Sequence, residues 1–190
     1  MLIEVVKNTG WTDVLNTARV TVGKRPLERR EPSLKFKGDM IRSEHSPLRN
    51  LTFTIRIEGI RSWVATHFAR HTLGFEPFVK TQRSDRTDET IPRDELPQGA
   101  LVDMMITLNA QAFINVSSRR MCHEASKETR AVWYRVIGKL KRIEPELASA
   151  CVPQCVYRGM CPESKYAEEN CGLNWKPWRE KYLREWANKL

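Results

Sequence analysis

The sharpest alternation of apolar and polar positions in the chain runs from Leu51 to Gly59. Leu51, Phe53, Ile55 and Ile57 alternate with Thr52, Thr54, Arg56 and Glu58, the period of a half-buried strand that Gly59 ends. LIEVVK, after Met1, predicts another strand, closed by Gly10. A helical period governs residues 114–134. Val116, Met121, Ala125, Thr129, Val132 and Ile137 form one side, and Arg119, Arg120, His123, Glu124, Lys127, Glu128 and Arg130 the other. The same helix extends through Val136, Ile137, Leu140 and Ile143 until Pro145 stops it. QGALVDMMITLNAQAFIN, residues 98–115, is apolar enough for a buried helix running with a bend into the long one. Ser62 is positioned to cap a helix from Trp63 to about His71, and Thr12 or Asp13 to cap a short one through Val14, Leu15 and Ala18. Gly74 and Pro77 make 73–86 loop or extended chain, KRPLERREPSLKFKGD reads as a basic surface loop, and TDETIPRDELP reads as surface turns. After Pro177 a short amphipathic helix is expected to pack through its tryptophans.

Composition narrows the class. The 190 residues are 41% hydrophobic and 29% charged, enough for one domain with a core and short for two. The expected division is a single domain over 1–190, with a Cys-rich loop and a short C-terminal helix at 148–190. No apolar run approaches the ~20 residues of a membrane span. The N-terminus lacks a basic region ahead of an apolar one, so the expected compartment is the cytoplasm. The formal net charge is +9, from 32 Lys+Arg against 23 Asp+Glu, which attracts phosphate in nucleotides or nucleic acid. Aromatics are not interleaved with the basic residues on any strand-like segment, which disfavours nucleic acid. Cys151, Cys155, Cys161 and Cys171 follow a C-x3-C-x5-C-x9-C spacing without the paired C-x2-C knuckles of zinc sites, so free thiols in a capping loop are expected and no metal is assigned.

Two features carry candidate chemistry. Arg119 and Arg120 are adjacent on a helix, about 100° apart, so one can face solvent while the other faces a cavity. Residues 70–86 gather Arg70, His71, Lys80, Arg83 and Arg86 in an otherwise apolar stretch after a helix, a possible phosphate cradle. Cys122-His123-Glu124 is set aside as a triad, because consecutive helix positions cannot converge on one point.

Several segments, in chain order, resemble the flavin-dependent thymidylate synthases. They are TARVT at 17–21, His45-Ser46-Pro47 followed by FTIRIEGI, Arg70-His71, and Arg93-Asp-Glu-Leu-Pro97. Asn109-Ala110, Asn115 and Arg120 complete the series with the family's spacing. The resemblance spans roughly residues 17–140 and implies an α+β fold with a mainly antiparallel sheet and long helices. It implies methylation of dUMP to dTMP, with FAD as cofactor, methylenetetrahydrofolate as carbon donor and NADPH as reductant, in a homotetramer whose sites are shared between subunits. Trp133, Tyr134 and the C-terminal tryptophans are candidate subunit contacts. Arg120 is the implied catalytic residue, holding charge that develops on the pyrimidine. His67, Arg70, Lys80, Thr81, Gln82, Arg83 and Arg93 would join it in binding the nucleotide. Ser46, Arg70, His71, Thr72, Asn109, Gln111 and Asn115 would bind flavin. The signature is rewritten in places. Thr72 replaces its second arginine, His67 stands at a usual glutamine and Gln111 at a common arginine. Either Arg83, with one inserted residue, or Gln82, with none, takes the place of the last signature arginine. The alternatives implied are action on another pyrimidine nucleotide, or a non-catalytic basic domain that binds nucleic acid or a partner.

Overall fold

The computed structural model describes residues 1–87, 91–163, 169 and 171–187. Strands β1 (Leu2–Lys7), β2 (Thr52–Arg61), β3 (Phe75–Val79) and β4 (Leu101–Asn109) form one antiparallel sheet in the order β1-β2-β4-β3. The sheet is mainly antiparallel, as expected. Its inner face is built from cross-strand rows: Ile3–Ile57–Met104, Val5–Ile55–Ile106–Pro77 and Phe53–Leu108–Phe75. Each row stacks apolar side chains within contact range, the unit that stabilises a sheet. Gly59 does not end β2. The ladder slips there between Ile57 and Ile60, and Gly59 takes φ +70°, which only glycine adopts without strain. Its N–H donates to Asp103 Oδ1 at 2.9 Å. The extra residue turns Ile60 back to the core, where it is 1% exposed.

Residues 98–115 are not one helix. Leu101–Asn109 is β4, and α4 (Ala110–Arg120) begins directly after it. Val102, Met104, Ile106 and Leu108 face inward, but Leu101 and Met105 on the outer face are apolar too, so the period-two signal is blurred. The Asn109 side chain caps α4, accepting the Ala112 N–H at 2.9 Å. The long helix is also divided. α4 ends at Arg120, a turn follows, and α5 (Lys127–Ile143) starts behind Ser126, whose hydroxyl accepts the Thr129 N–H. Arg119 and Arg120 therefore close a helix rather than open one. The Arg130 guanidinium holds the turn, donating to the carbonyls of His123 at 2.8 Å and Ala125 at 3.3 Å. Ile143, expected inside, is 39% exposed.

The basic loop at 24–39 contains the start of helix α2 (Leu34–Arg42), capped by the Ser33 hydroxyl on the Phe36 N–H. The apolar side of Phe36, Met40 and Ile41 was hidden among lysines. α1 (Trp11–Val20) is capped at Gly10, and Asp13 acts from inside the helix by accepting the Gly10 N–H. α3 (Ser62–Ala69) stops before His71, and Ser46–Asn50 forms a 3-10 turn. The Cys-rich segment is partly helical, with α6 (Pro145–Ala150) and α7 (Gln154–Arg158). α8 (Trp175–Ala187) starts ahead of Pro177, which sits in its first turn, where a missing N–H costs nothing. Trp175, Trp178 and Tyr182 pack on Val152, Cys155 and Val156. The Trp186 side chain and residues 88–90 of the expected surface turn lie outside the described residues.

The core between sheet and helices is aromatic at its centre. Phe53–Phe113, Phe68–Trp133 and Phe113–Trp133 have ring centroids 5.2, 5.6 and 5.8 Å apart. Trp133 is fully buried and donates its indole N–H to Ser117 Oγ at 2.9 Å, so within the chain it is a core residue rather than a surface contact. Glu144, at the α5–α6 junction, is 3% exposed yet fully engaged. Lys7 Nζ reaches it at 2.7 Å and Trp11 Nε1 at 2.8 Å.

Candidate active site

Two basic cavities lie near helix α3, one lined by the helix itself and one by the residues that follow it. The first, about 450 Å3, is lined by Arg70, His71, Thr72 and Leu73 after α3, by Asn115, Ser118 and Arg119 of α4, and by Glu44, Tyr157 and Arg158. The second, about 380 Å3, is lined by Ser62, Ala65, Thr66 and Ala69 of α3, and by Lys80, Thr81, Gln82, Arg83 and Arg93. Most residues expected for flavin meet at the first cavity, and those expected for nucleotide phosphate meet at the second. Both expectations for the end of the signature, Gln82 and Arg83, line the same cavity, so the choice between them does not change its chemistry.

Arg120 lines neither cavity and contacts the first through His71. Its Nε donates to His71 Nε2 at 2.8 Å and its terminal nitrogen to the His67 carbonyl at 2.6 Å. An arginine cannot accept, so His71 carries its own proton on Nδ1. Burial, with Arg120 and then Arg119 beside it, lowers the His71 pKa to about 4. Burial also lowers His67, helped by Arg120 and Arg70, and His67 Nδ1 pairs with Thr129 Oγ1 at 2.9 Å. The neutral His71 imidazole and the His67 backbone carbonyl thus hold a half-buried guanidinium, whose own pKa is depressed by burial and by Arg70 and Arg119. The cation is fixed in direction, with no carboxylate against it among the described residues.

The remaining expected residues are placed as follows. Asn109 caps α4 and packs on Gly74 instead of lining a cavity. Gln111 is one step removed, donating to Glu44 and, at 3.2 Å, to Asn115 Oδ1. Ser46 is exposed in its turn and lines neither cavity. Arg83 is held by Asp85 through two bonds, at 3.0 and 2.6 Å.

Glu44, Tyr157 and Arg158 are cavity residues that sequence reasoning missed, and of the adjacent pair Arg119 and Arg120 it is Arg119 that lines the cavity. Glu44 adopts φ +47°, a backbone strain that a non-glycine residue bears at few places. Its carboxylate receives Gln111 and the Tyr157 hydroxyl. Hydrogen bonding to Glu44 pushes the Tyr157 phenol up to about 12. Glu44 lies beside the His45-Ser46-Pro47 segment, the one signal that could have drawn attention to it. Neither Arg70 nor Arg119 pairs with a carboxylate among the described residues. The cavity therefore presents unneutralised guanidinium groups suited to phosphate or another anion.

No family model matches the chain. A flavin-dependent thymidylate synthase of Nitratidesulfovibrio vulgaris is 23% identical, covering 72% of this chain and 75% of that protein. The enzyme of the same name from Sulfolobus acidocaldarius is 31% identical over 61 residues, 32% of this chain and 24% of that protein. Among solved structures, thymidylate synthase X from Helicobacter pylori with FAD and dUMP superposes with TM-score 0.62 at 15% identity, covering 80% of this chain and 99% of that one. The UMP/dUMP methylase PolB from Streptomyces cacaoi, bound with 5-Br dUMP, gives TM-score 0.60 at 14% identity over 78% of this chain and 94% of that one. Along 72% of its length the chain is similar in sequence to a flavin-dependent thymidylate synthase, and it shares the fold of thymidylate synthase X.

Proposed function

We infer that the protein is a flavin-dependent methyltransferase that places a one-carbon unit on C5 of a uracil nucleotide, with dUMP as the first candidate. The observation that carries this reading is Arg120. It is half-buried and fixed by the imidazole of His71, which lines the first cavity, and by the His67 carbonyl. The first cavity fits part of a flavin dinucleotide. Its volume lies within the about 300–1,000 Å3 of small-molecule sites. It offers guanidinium groups for phosphate, and the Asn115 amide and Ser118 hydroxyl for ring or ribose edges. Lys80, Arg83 and Arg93 are suited to the nucleotide phosphate. Arg120 would hold negative charge developing on the pyrimidine, a task for a planar cation that never loses its proton.

When bound, reduced flavin would supply the reducing equivalents that turn a transferred methylene into a methyl group. Methylenetetrahydrofolate would be the carbon donor and NADPH the reductant. The residues proposed for nucleotide phosphate and most of those proposed for flavin line two separate cavities of one chain, which supports a homotetramer with shared sites, and we place the protein in the cytoplasm. His67, at the position of a usual nucleotide-contacting glutamine, favours a second reading, a related pyrimidine nucleotide as substrate; UMP is the obvious comparison.

The test is a titration of dUMP and UMP against the full chain loaded with FAD, followed by turnover assays. The expected result is a perturbed flavin spectrum with one nucleotide and formation of its 5-methyl product. Arg120→Lys should retain flavin and fold yet lose about 10²-fold or more in kcat. Absence of flavin binding at high FAD would overturn the reading. A flavin response to UMP alone would select the second one.

A further inference from the structure

Four of the five cysteines meet at one place. Cys122 comes from the α4–α5 turn, Cys155 from α7, and Cys161 and Cys171 from the chain that leads to α8. With His123 and Glu163 they line a space of about 20 Å3. A void of that size holds one water-sized particle and no organic ligand. All four thiols are free. Burial pushes the Cys155 thiol up to about 11 and raises Cys122, and each lies within electrostatic reach of Cys161. Cys151 is elsewhere, 2% exposed and hydrogen-bonded to the Ser117 hydroxyl. The C-x3-C-x5-C-x9-C spacing counts Cys151, which the fold replaces with Cys122. Cys122, His123 and Glu124 stand in a turn and not in a helix.

We propose that this space is a structural zinc site with Cys122, Cys155, Cys161 and Cys171 as its ligands. Four cysteines lining one space of ionic size offer the donor set of a soft, tetrahedral Zn2+. The supporting shell is present. The Leu173 N–H donates to Cys171 Sγ at 3.4 Å. His123 Nδ1 bonds the Cys171 carbonyl at 2.5 Å and fixes the end of the segment. Arg130, anchored on the His123 carbonyl, places a cation beside a centre that would carry two net negative charges. Among the described residues no three ligating groups yet surround a common point, so binding requires side-chain rotation. Cys161 and Cys171 lie outside helix and strand and can supply it. One Zn2+ exchanges for four thiol protons and nothing is oxidised or reduced. The ion would tether the end of α4, which carries Arg119 and Arg120, to α7 and to the segment before α8.

The experiment uses the full chain, purified without chelator, with metal content measured by plasma mass spectrometry and Co2+ exchanged for the native ion. About one zinc per chain is expected, with a sulfur-to-cobalt charge-transfer band and tetrahedral visible bands on exchange. Cys122→Ser or Cys161→Ser should lose the ion, whereas Cys151→Ser should keep it. The cobalt spectrum of the unaltered chain decides the matter even where a serine variant fails to fold. No thiolate band with Co2+, a native disulfide among the four cysteines, or loss of metal in Cys151→Ser but not in Cys122→Ser would overturn the assignment. Flavin and nucleotide binding are read separately, so failure here leaves the proposed reaction standing.

Discussion

Gly74 shows how closely single positions are constrained around the candidate site. It takes φ +66°, and a Cβ there would stand 2.3 Å from Asn109 Nδ2. The Gly74 carbonyl accepts the Asn109 N–H at 3.0 Å, so the backbone cannot withdraw without breaking the β4–α4 junction. Gly74→Ala is expected to destabilise the fold by about 1–3 kcal/mol, read as a lower urea midpoint. His71 gives a pH signature. In the fold its pKa is about 4, because it is buried beside Arg120 and Arg119, against an ordinary value of 6.5. The unfolded chain therefore binds more protons between these values. Stability is full above pH 6.5 and falls as pH drops towards 4. His67 contributes with the same sign. Urea midpoints measured across that window should slope in the native chain and slope less in His71→Gln.

At the scale of elements, the joints are held by polar groups and the faces by apolar ones. Glu144 links the α5–α6 junction to β1 through Lys7 and to α1 through Trp11. Removing its carboxylate strands a buried indole N–H and leaves the half-exposed Lys7 without its partner. Glu144→Ala should cost about 1.5–3 kcal/mol, seen as a lower melting temperature, and Glu144→Gln should cost less because it keeps an acceptor for Trp11. The elements read well from sequence were those whose two faces differ. β1, β2 and the body of α5 have that contrast. β4 does not, since Leu101 and Met105 put apolar side chains on its outer face. α2 was obscured because Lys35, Lys37, Asp39 and Arg42 dominate its composition. The division between α4 and α5 falls within one continuous helical period. What breaks it is the Ser126 cap and the Arg130 clamp on the turn carbonyls, neither of which a period can report.

For the whole molecule, the fall of the residues proposed for flavin and for nucleotide phosphate into two separate cavities leads to a prediction about assembly. If sites are shared between subunits, Arg119→Ala and Arg93→Ala, each defective alone, should regain activity when mixed after unfolding and refolding together. Activity no higher than the sum of the separate variants would mean that each chain completes its own site. The net charge of +9 gives the same assembly an attraction for anionic substrates that weakens as salt rises.

The sequence by itself determined strands β1 and β2, the order of the candidate site segments and their positive charge, because these rest on local periodicity, on motif order and on residue type, whereas the antiparallel sheet was implied by the family resemblance and its strand β4 came only with the fold. Only the tertiary structure decided which residues meet. It moved Asn109 from the candidate flavin contacts to a helix cap, brought Glu44 and Tyr157 to the first cavity, and locked Arg120 onto His71. It also exchanged Cys151 for Cys122 in the thiol cluster. Each of these depends on contacts between segments far apart in the chain, whose geometry is set by how the helices pack on the sheet and is not written in the spacing of any one segment.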